Sequence, residues 1–258
     1  MSVLKVRMKK EEAEAAVPLP ILPHDQKGDF FMNRKKDSVI RIKKLTATAM
    51  FCALAYACMY FIKIPVGFLT LDVKDSLIIL CSLLFGPLYG LTIAIAVPVL
   101  ELITISGTGI YGFIMNALSS VTFSLTASLI YRYKKSMMGA IVGLCSGVFA
   151  VTAVMMLANL FITPYYIGGS VADVAAMIPK ILLPFNLVKA ILNAAIVLLL
   201  YKPLSKLLKR IGFLHSAAPV AQESKDGGRG RVRSICITVI AIAVIAASLA
   251  VIFLVLKK

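Results

Sequence analysis

The sequence contains no tryptophan, two histidines and twelve acidic residues among 258. His24 and His215 lie outside the apolar runs, and the five cysteines occur singly, without a CxxC pair. Neither residue type therefore has the spacing of a metal site or a disulfide framework. The motifs GxxxxGK[ST], HExxH and GxSxG are absent as well, so no ATP-binding loop, zinc-protease helix or nucleophile elbow is present. We expect no enzymatic activity and no cofactor.

Apolar residues dominate what remains, at 60% of the chain. Most of the apolar runs are long enough to cross about 30 Å of hydrocarbon, which takes about 20 helical residues. The second run is short, and Gly86-Pro87 breaks the chain before the third. We predict an all-α membrane protein: a bundle of six transmembrane helices over 45–210 and one appended C-terminal transmembrane helix. The runs are Leu45–Ile62, Ser76–Phe85, Pro87–Ile105, Ile110–Tyr131, Met137–Ile162, Ile181–Tyr201 and Ser234–Leu256.

Two polar segments flank the predicted bundle. Residues 1–44 form a basic tail with eleven Lys and Arg and no apolar periodicity, which is typical of disorder. Residues 211–233 have the composition of a flexible linker. The linker separates the bundle from an extra transmembrane helix over 234–258, which we interpret as a membrane anchor or a helix for a partner.

Charge indicates the orientation in the membrane. Of the 28 Lys and Arg, 22 fall in the tail, in 132–135 and in 202–233, which lie on one side of the predicted bundle. The positive-inside rule places these segments, and the N-terminus, in the cytoplasm. We expect a multi-pass protein of the plasma membrane. Its basic clusters are expected to lie along anionic headgroups of the bilayer, and we expect no nucleic acid as a partner.

A polar stripe interrupts the sixth apolar run. Asn186, Lys189 and Asn193 share one helical face. A lysine within a membrane segment is costly unless it is paired or lines a wet cavity, although a lysine near a helix end can also extend to the headgroups. Asn116 and Asn159 add amides on the fourth and fifth predicted helices. Such groups can serve helix packing alone, but amides on three helices together with a lysine favour a polar pocket.

The predicted outer loop from Gly67 to Asp75 fits as a lid over that pocket. It combines Phe68 and Leu71 with Asp72, and a glycine after a proline supplies flexibility. Asp75 is expected to cap the second helix, because aspartate is favoured at that position.

Glu101 is the only acid inside a predicted span, so it needs a partner. Lys189 and a residue of the outer loop are both candidates, and the sequence alone does not choose between them.

Five short motifs, in this order, resemble the substrate-binding S components of energy-coupling factor (ECF) vitamin transporters, and are most similar to the riboflavin-specific members. The resemblance covers about Leu45 to Arg210. The seventh helix departs from the usual six-helix pattern of that family. The motifs are Leu71-Asp72-x-x-Asp75, Phe85-Gly86-Pro87-x-x-Gly90, Met115-Asn116-x-x-Ser119-Ser120, Ala158-Asn159-x-Phe161-x-Thr163-Pro164-Tyr165-Tyr166 and Pro184-Phe185-Asn186-x-x-Lys189.

The resemblance implies a protein that captures its vitamin from outside and hands it to a transmembrane T component with two ATPase subunits. ATP would then be used by those partners and not by this chain. It also implies that the first helix docks on the T component through small residues, here Ala49, Ala53 and Ala57. The alternative is that these alanines pack inside the bundle.

Riboflavin suits a pocket of amides, one lysine and aromatic rings, because it is neutral and pairs a flat polar-edged ring with a polyol. Phe68, Phe185 and Tyr165 or Tyr166 are the candidates for ring contacts. The alternatives are an S component for another vitamin or small solute, a polytopic membrane enzyme, and a small self-sufficient transporter. The predicted substrate-binding residues are Asn186, Lys189, Asn159, Asn116, Asp72, Phe68, Leu71, Tyr165 and Glu101.

Overall fold

The computed structural model describes residues 24–213, apart from 68, 106, 108 and 134, together with 239–248 and 250. The chain divides into two units, Met1–Lys43 and Lys44–Lys258, and the candidate site belongs to the second. The elements in chain order are α1 (His24–Phe61), β1 (Ile64–Val66), β2 (Leu69–Leu71), α2 (Lys74–Phe85), α3 (Pro87–Thr104), α4 (Gly109–Tyr133), α5 (Met137–Ile167), α6 (Val171–Met177), a π-helical turn (Ile178–Leu182), α7 (Leu183–Arg210) and α8 (Val239–Ser248).

Five segments of the described chain are long and apolar enough to cross a membrane, which makes this a multi-pass helical membrane protein. The predicted second helix, α2, has twelve residues, or about 18 Å at 1.5 Å per residue, and is too short to span the hydrocarbon unaided. The predicted seventh helix extends beyond the described residues on both sides of α8. The five segments are Ser38–Phe61, Pro87–Thr104, Gly109–Tyr133, Met137–Ile167 and Val171–Arg210.

The first helix begins earlier than the sequence predicted. It starts at His24, so 24–44, which we expected to be disordered, are helical, while 1–23 lie outside the described residues. No proline interrupts the chain between Pro23 and Pro65. Extending an existing helix adds one hydrogen bond per residue without a new nucleation cost, so polar residues can join the apolar segment as one helix.

The predicted lid is a β-hairpin, which the all-helical prediction missed. β1 and β2 pair antiparallel, with Ile64 opposite Leu71 and Val66 opposite Leu69. Gly67 begins the turn at φ +61°, a left-handed conformation that favours glycine, and a Cβ there would meet no other atom. The requirement for glycine is therefore conformational and not steric.

The predicted loop over 164–180 is almost entirely helical, which corrects the sequence prediction. α5 continues through Pro164 and ends where Gly168 adopts φ +71°. Ser170 and Asp173 then form a capping box that starts α6 at once. Pro179 lies in the π-helical turn that joins α6 to α7, since its missing N–H suits a widened hydrogen-bond pattern.

α4 and α5 approach each other closely along one seam of the bundle. A Cβ on Gly143 would lie 2.5 Å from the carbonyl oxygen of Ala127, and one on Gly147 would lie 2.7 Å from the Phe123 ring. Helices pack this closely in membranes only where small residues face each other. This seam leaves the N-terminal part of α4 and the C-terminal part of α5 to form one wall of a pocket.

Candidate functional site

A pocket that is partly open to its surroundings lies between the hairpin, α3, α4, α5 and α7. Five of the predicted binding residues line it: Asn116, Asn159, Asn186, Lys189 and Glu101. They come from four different helices and are brought together at one end of the bundle. The structure therefore supports the predicted convergence of amides and a lysine.

The amides on α5 and α7 are oriented by their own helices. Asn159 Nδ2 donates to the carbonyl oxygen of Met155 at 2.6 Å, and its Oδ1 accepts from the Thr163 hydroxyl at 2.9 Å. Asn186 Nδ2 donates to the carbonyl oxygen of Leu182 at 2.8 Å. A side-chain amide carries two N–H groups, so each asparagine keeps a second donor for a ligand.

Lys189 is held by the segment that follows β2. Its Nζ donates to Asp72 Oδ2 at 2.8 Å and to the carbonyl oxygen of Thr70 at 3.3 Å. Burial of Asp72 opposes its charge, but the ammonium groups of Lys189 and Lys74 outweigh burial and lower its pKa to about 2. Asp72 is therefore an anion that fixes Lys189, and it is not itself a lining residue of the pocket.

Glu101 has three partners. Its carboxylate accepts from Lys63 at 3.2 Å, from Lys74 at 3.4 Å and from Asn116 Nδ2 at 2.7 Å. Of the two partners considered from sequence, the one in the outer segment is the one present, because Lys189 pairs with Asp72 instead. Asp72 and Glu101 are therefore each paired with two lysines.

Two polar residues near the site have structural roles. Asn193, which is fully buried, accepts from the Ser76 backbone N–H and hydroxyl and donates to the Asp72 carbonyl. The expected capping role of Asp75 is wrong, because α2 begins at Lys74, two residues before the predicted start at Ser76, and its N-cap, Val73, makes no side-chain hydrogen bond. Asp75 instead accepts a hydrogen bond from the Ser120 hydroxyl on α4.

Besides Asp72, two predicted contact residues do not line the pocket in the part of the chain that the structure describes. Leu71 is buried against Leu192 beneath the hairpin. Tyr165 is 77% exposed, whereas Tyr166 lines the pocket together with Phe185. α5 continues through both tyrosines, and successive helical side chains point about 100° apart, so only one of them faces inwards. Phe68 lies outside the described residues.

Sequence reasoning missed two lysines and two methionines. Lys63 lines the pocket, and Lys74 is buried beside it. Their signal was the need of Glu101 for a cation, which the sequence indicates without showing which lysines meet it. Met115 and Met155 also line the pocket. Their apolar character does not distinguish them from core residues.

The proposed docking face lies on the side of α1 that points away from the core. Ala49 and Ala53 are exposed and Ala57 is half-buried, whereas Phe51 and Met59 are buried. The alternative in which the three alanines pack inside the bundle therefore does not fit the exposure of Ala49 and Ala53.

Comparison with known proteins adds independent information. Residues 43–201 match the model of the family described as "ECF transporter, substrate-specific component". The chain is 33% identical over 188 residues to the riboflavin transporter RibU of Staphylococcus aureus (strain TCH60), covering 69% of this chain and 98% of that protein. It is 26% identical over 176 residues to the riboflavin transporter FmnP of Bacillus subtilis (strain 168), covering 63% of this chain and 92% of that protein.

A solved structure agrees with these sequence matches. It is described as "Structure and mechanism of the S component of a bacterial ECF transporter". The two chains align with a TM-score of 0.57 and 32% sequence identity, over 66% of this chain and 99% of the other. The match to the family model ends at residue 201, before α8.

Proposed function

From the premise that the chain belongs to the family of ECF transporter substrate-specific components, we propose that it captures riboflavin, or a close flavin, from outside the cell. It then hands the vitamin to an ATP-driven module for uptake. Members of this family are components of transporters and are not enzymes. The riboflavin assignment rests on the names of two relatives and on the chemistry of the pocket.

The observation that carries the proposal is a pocket whose mostly apolar lining carries a few hydrogen-bonding groups and paired charges. Three asparagines offer donors and acceptors, while Glu101 and Lys189 are each already paired with a residue of opposite charge. Tyr166 and Phe185 supply aromatic surface. A neutral ligand with a flat ring edged by donors and acceptors matches this lining.

Calorimetric titration of the purified protein with riboflavin tests the assignment. We expect Asn186→Ala to weaken binding by about 1–3 kcal/mol, because a hydrogen-bonding partner in a buried site is lost. Tyr166→Ala should also weaken binding, whereas Tyr165→Ala is the matched control, since that ring lies outside the pocket. Equal affinity in all three variants would show that the ligand binds elsewhere. Binding of another vitamin in place of riboflavin would keep the family and change the substrate.

The partners follow from the family and from α1. A transmembrane T component and two ATPase subunits would complete the transporter, and ATP would be hydrolysed there, so that this chain needs no cofactor of its own. Ala49, Ala53 and Ala57 form the surface for the T component, because small exposed residues let two helices approach closely in a membrane.

Ala53→Trp tests this surface, since a close helix contact has no room for an indole. We expect normal riboflavin affinity, poor co-purification with the T component and lost uptake, from overpacking of about 1–3 kcal/mol. Leu54→Trp, at an exposed neighbouring position, is the control and should retain uptake. Retained uptake in Ala53→Trp would exclude docking through this face.

The topology completes the proposal. α2 is counted as the second of six helices, although it is short, because it is buried among the others. α8 belongs to the appended transmembrane helix over 234–258, joined by the linker over 211–233, and Ile245 packs against the cluster of Leu71 and Leu192. The distribution of Lys and Arg supports a cytoplasmic N-terminus with its basic tail over 1–44.

A further inference from the structure

Lys74, the first residue of α2, is a lysine with only 1% of its surface exposed. Its Nζ lies 3.4 Å from Asp72 Oδ2 and 3.4 Å from Glu101 Oε2. Lysine is almost never fully buried unless it is paired, and removal of one partner from a buried ion pair is strongly destabilising. A cation at this depth is therefore explained by the two carboxylates, whose negative charges it neutralises.

Lys74 is the centre of a row of alternating charges, which we call the charge row: Lys189, Asp72, Lys74, Glu101 and Lys63. The outer pairs, Lys189 with Asp72 and Lys63 with Glu101, are 2.8 Å and 3.2 Å long. Lys189, Glu101 and Lys63 line the pocket, whereas Lys74 and Asp72 do not. The row starts on α7 and reaches the segments on both sides of the hairpin, so it connects the lid to the walls of the pocket.

The residues around Lys74 make the numbers of positive and negative charges in this region equal. Asp75 faces it from its own helix and brings the set to three ammonium groups and three carboxylates. From α4, Asn116 donates to Glu101 and Ser120 donates to Asp75. Asp72 Oδ1 is buried and has no hydrogen-bond partner in the described part of the chain, so Asp72 depends on Lys189 alone as its cation if Lys74 is lost.

We infer that Lys74 is a positioning residue of the binding site: it holds the Asp72 and Glu101 carboxylates together so that Lys189 and Glu101 meet the ligand in fixed orientations. The inference rests on the proposed function in that the ligand is a flavin. Without the shared ammonium, two buried carboxylates repel each other. Asp72 then turns towards Lys189, and Glu101 turns towards Lys63 and Asn116, and both movements change the groups that the pocket offers.

Three variants separate positioning from charge balance. Lys74→Met keeps the length of the side chain and removes its charge. The pair Lys74→Met/Asp75→Asn restores an equal number of cations and anions, and Asp75→Asn alone is its reference. We expect the double variant to bind riboflavin about 10–100-fold more weakly than Asp75→Asn. Lys180→Met, at an exposed lysine outside the row, should retain the affinity of the natural protein. Equal affinity of the double variant and its reference would overturn the inference.

A pH series adds a readout that simple loss of packing would not change. With balanced charges, the natural protein should bind riboflavin equally at pH 5 and pH 8. Lys74→Met has one buried carboxylate in excess, which takes up a proton more readily in the folded than in the unfolded chain. Its melting temperature without ligand, and its riboflavin affinity, should therefore rise as pH falls from 8 to 5. The double variant should show neither trend, and a flat profile in Lys74→Met would overturn the inference.

The ligand-free melting series keeps the two proposals apart. A natural protein that does not bind riboflavin would defeat the proposed substrate, while the pH dependence of melting would still report on the charge row. If Lys74→Met does not accumulate, the double variant decides. If neither accumulates, Lys74→Arg decides, because it keeps the charge and changes its position: weaker riboflavin binding with a flat pH profile is expected, and unchanged affinity would overturn the inference.

Discussion

The two ends of the bundle accommodate buried polar groups in different ways. At the pocket end, ion pairs join the hairpin region to α3 and α7. Towards the other end, α4 and α5 meet through Gly143 against Ala127, and the hydroxyls of Tyr131 and Tyr201 share one hydrogen bond of 2.6 Å. Tyr131 lies 15 residues beyond Asn116 on α4, which is about 22 Å along the helix.

This contrast indicates that one end of the bundle serves close helix packing and the other serves ligand binding. Small residues and one neutral hydrogen bond give close packing at low desolvation cost. Paired charges are expensive to bury, and they are retained where they hold the groups that face a ligand. Substitutions at the closely packed end should therefore change folding and leave the affinity alone, whereas substitutions at the pocket end should mainly change the affinity.

The largest expected effect is at the helix seam. Gly143→Val places a side chain where a Cβ alone would lie 2.5 Å from a backbone carbonyl oxygen, so α4 and α5 must separate. We expect destabilisation by more than about 3 kcal/mol, seen as a lost or much earlier thermal transition in detergent. Cys145→Val, at an exposed position two residues along, is the control. A stable Gly143→Val protein would show that the seam is not tight.

At the pocket end, Lys189→Met should weaken riboflavin binding by about 1–3 kcal/mol, because a charged donor is removed from the lining. Asp72 keeps its contact with Lys74, so the loss of stability should be smaller than in Gly143→Val. Titration calorimetry and thermal unfolding measure the two effects on one sample. Lys206→Met, at an exposed position of the same helix, is the matched control. Unchanged affinity would mean that Lys189 serves the hairpin alone.

The smallest effect on riboflavin affinity is expected at the tyrosine pair. Tyr131→Phe removes one hydroxyl and leaves that of Tyr201 buried, at a cost of about 1–3 kcal/mol in the free energy of unfolding. Tyr131→Phe/Tyr201→Phe removes both and should recover part of that loss. Riboflavin affinity should be the same in both variants. A change in affinity would show that the two ends of the bundle are coupled, and would contradict the separation of helix packing from ligand binding.

Some of the site could be predicted because its signals are local. Asn186 and Lys189 stand out within an apolar run, and a helical period places them on one face. The spans follow from hydropathy alone, and the ordered motifs identified the family. Predictions failed where other contacts outweighed a local signal. Because of Pro164 and Gly168, we interpreted this region as a long loop, although a capping box starts a new helix within a few residues.

Hydropathy and helical periodicity are properties of neighbouring residues, so the sequence is sufficient to predict a multi-pass helical membrane protein with amides and a lysine on one helical face. The tertiary structure was needed to establish which charges meet: Lys63 with Glu101, Lys189 with Asp72, and Lys74 between the two carboxylates. It likewise decided that Tyr166 and not Tyr165 faces the pocket. These choices depend on how helices distant in sequence pack and rotate against each other, because a salt bridge needs atoms within about 4 Å.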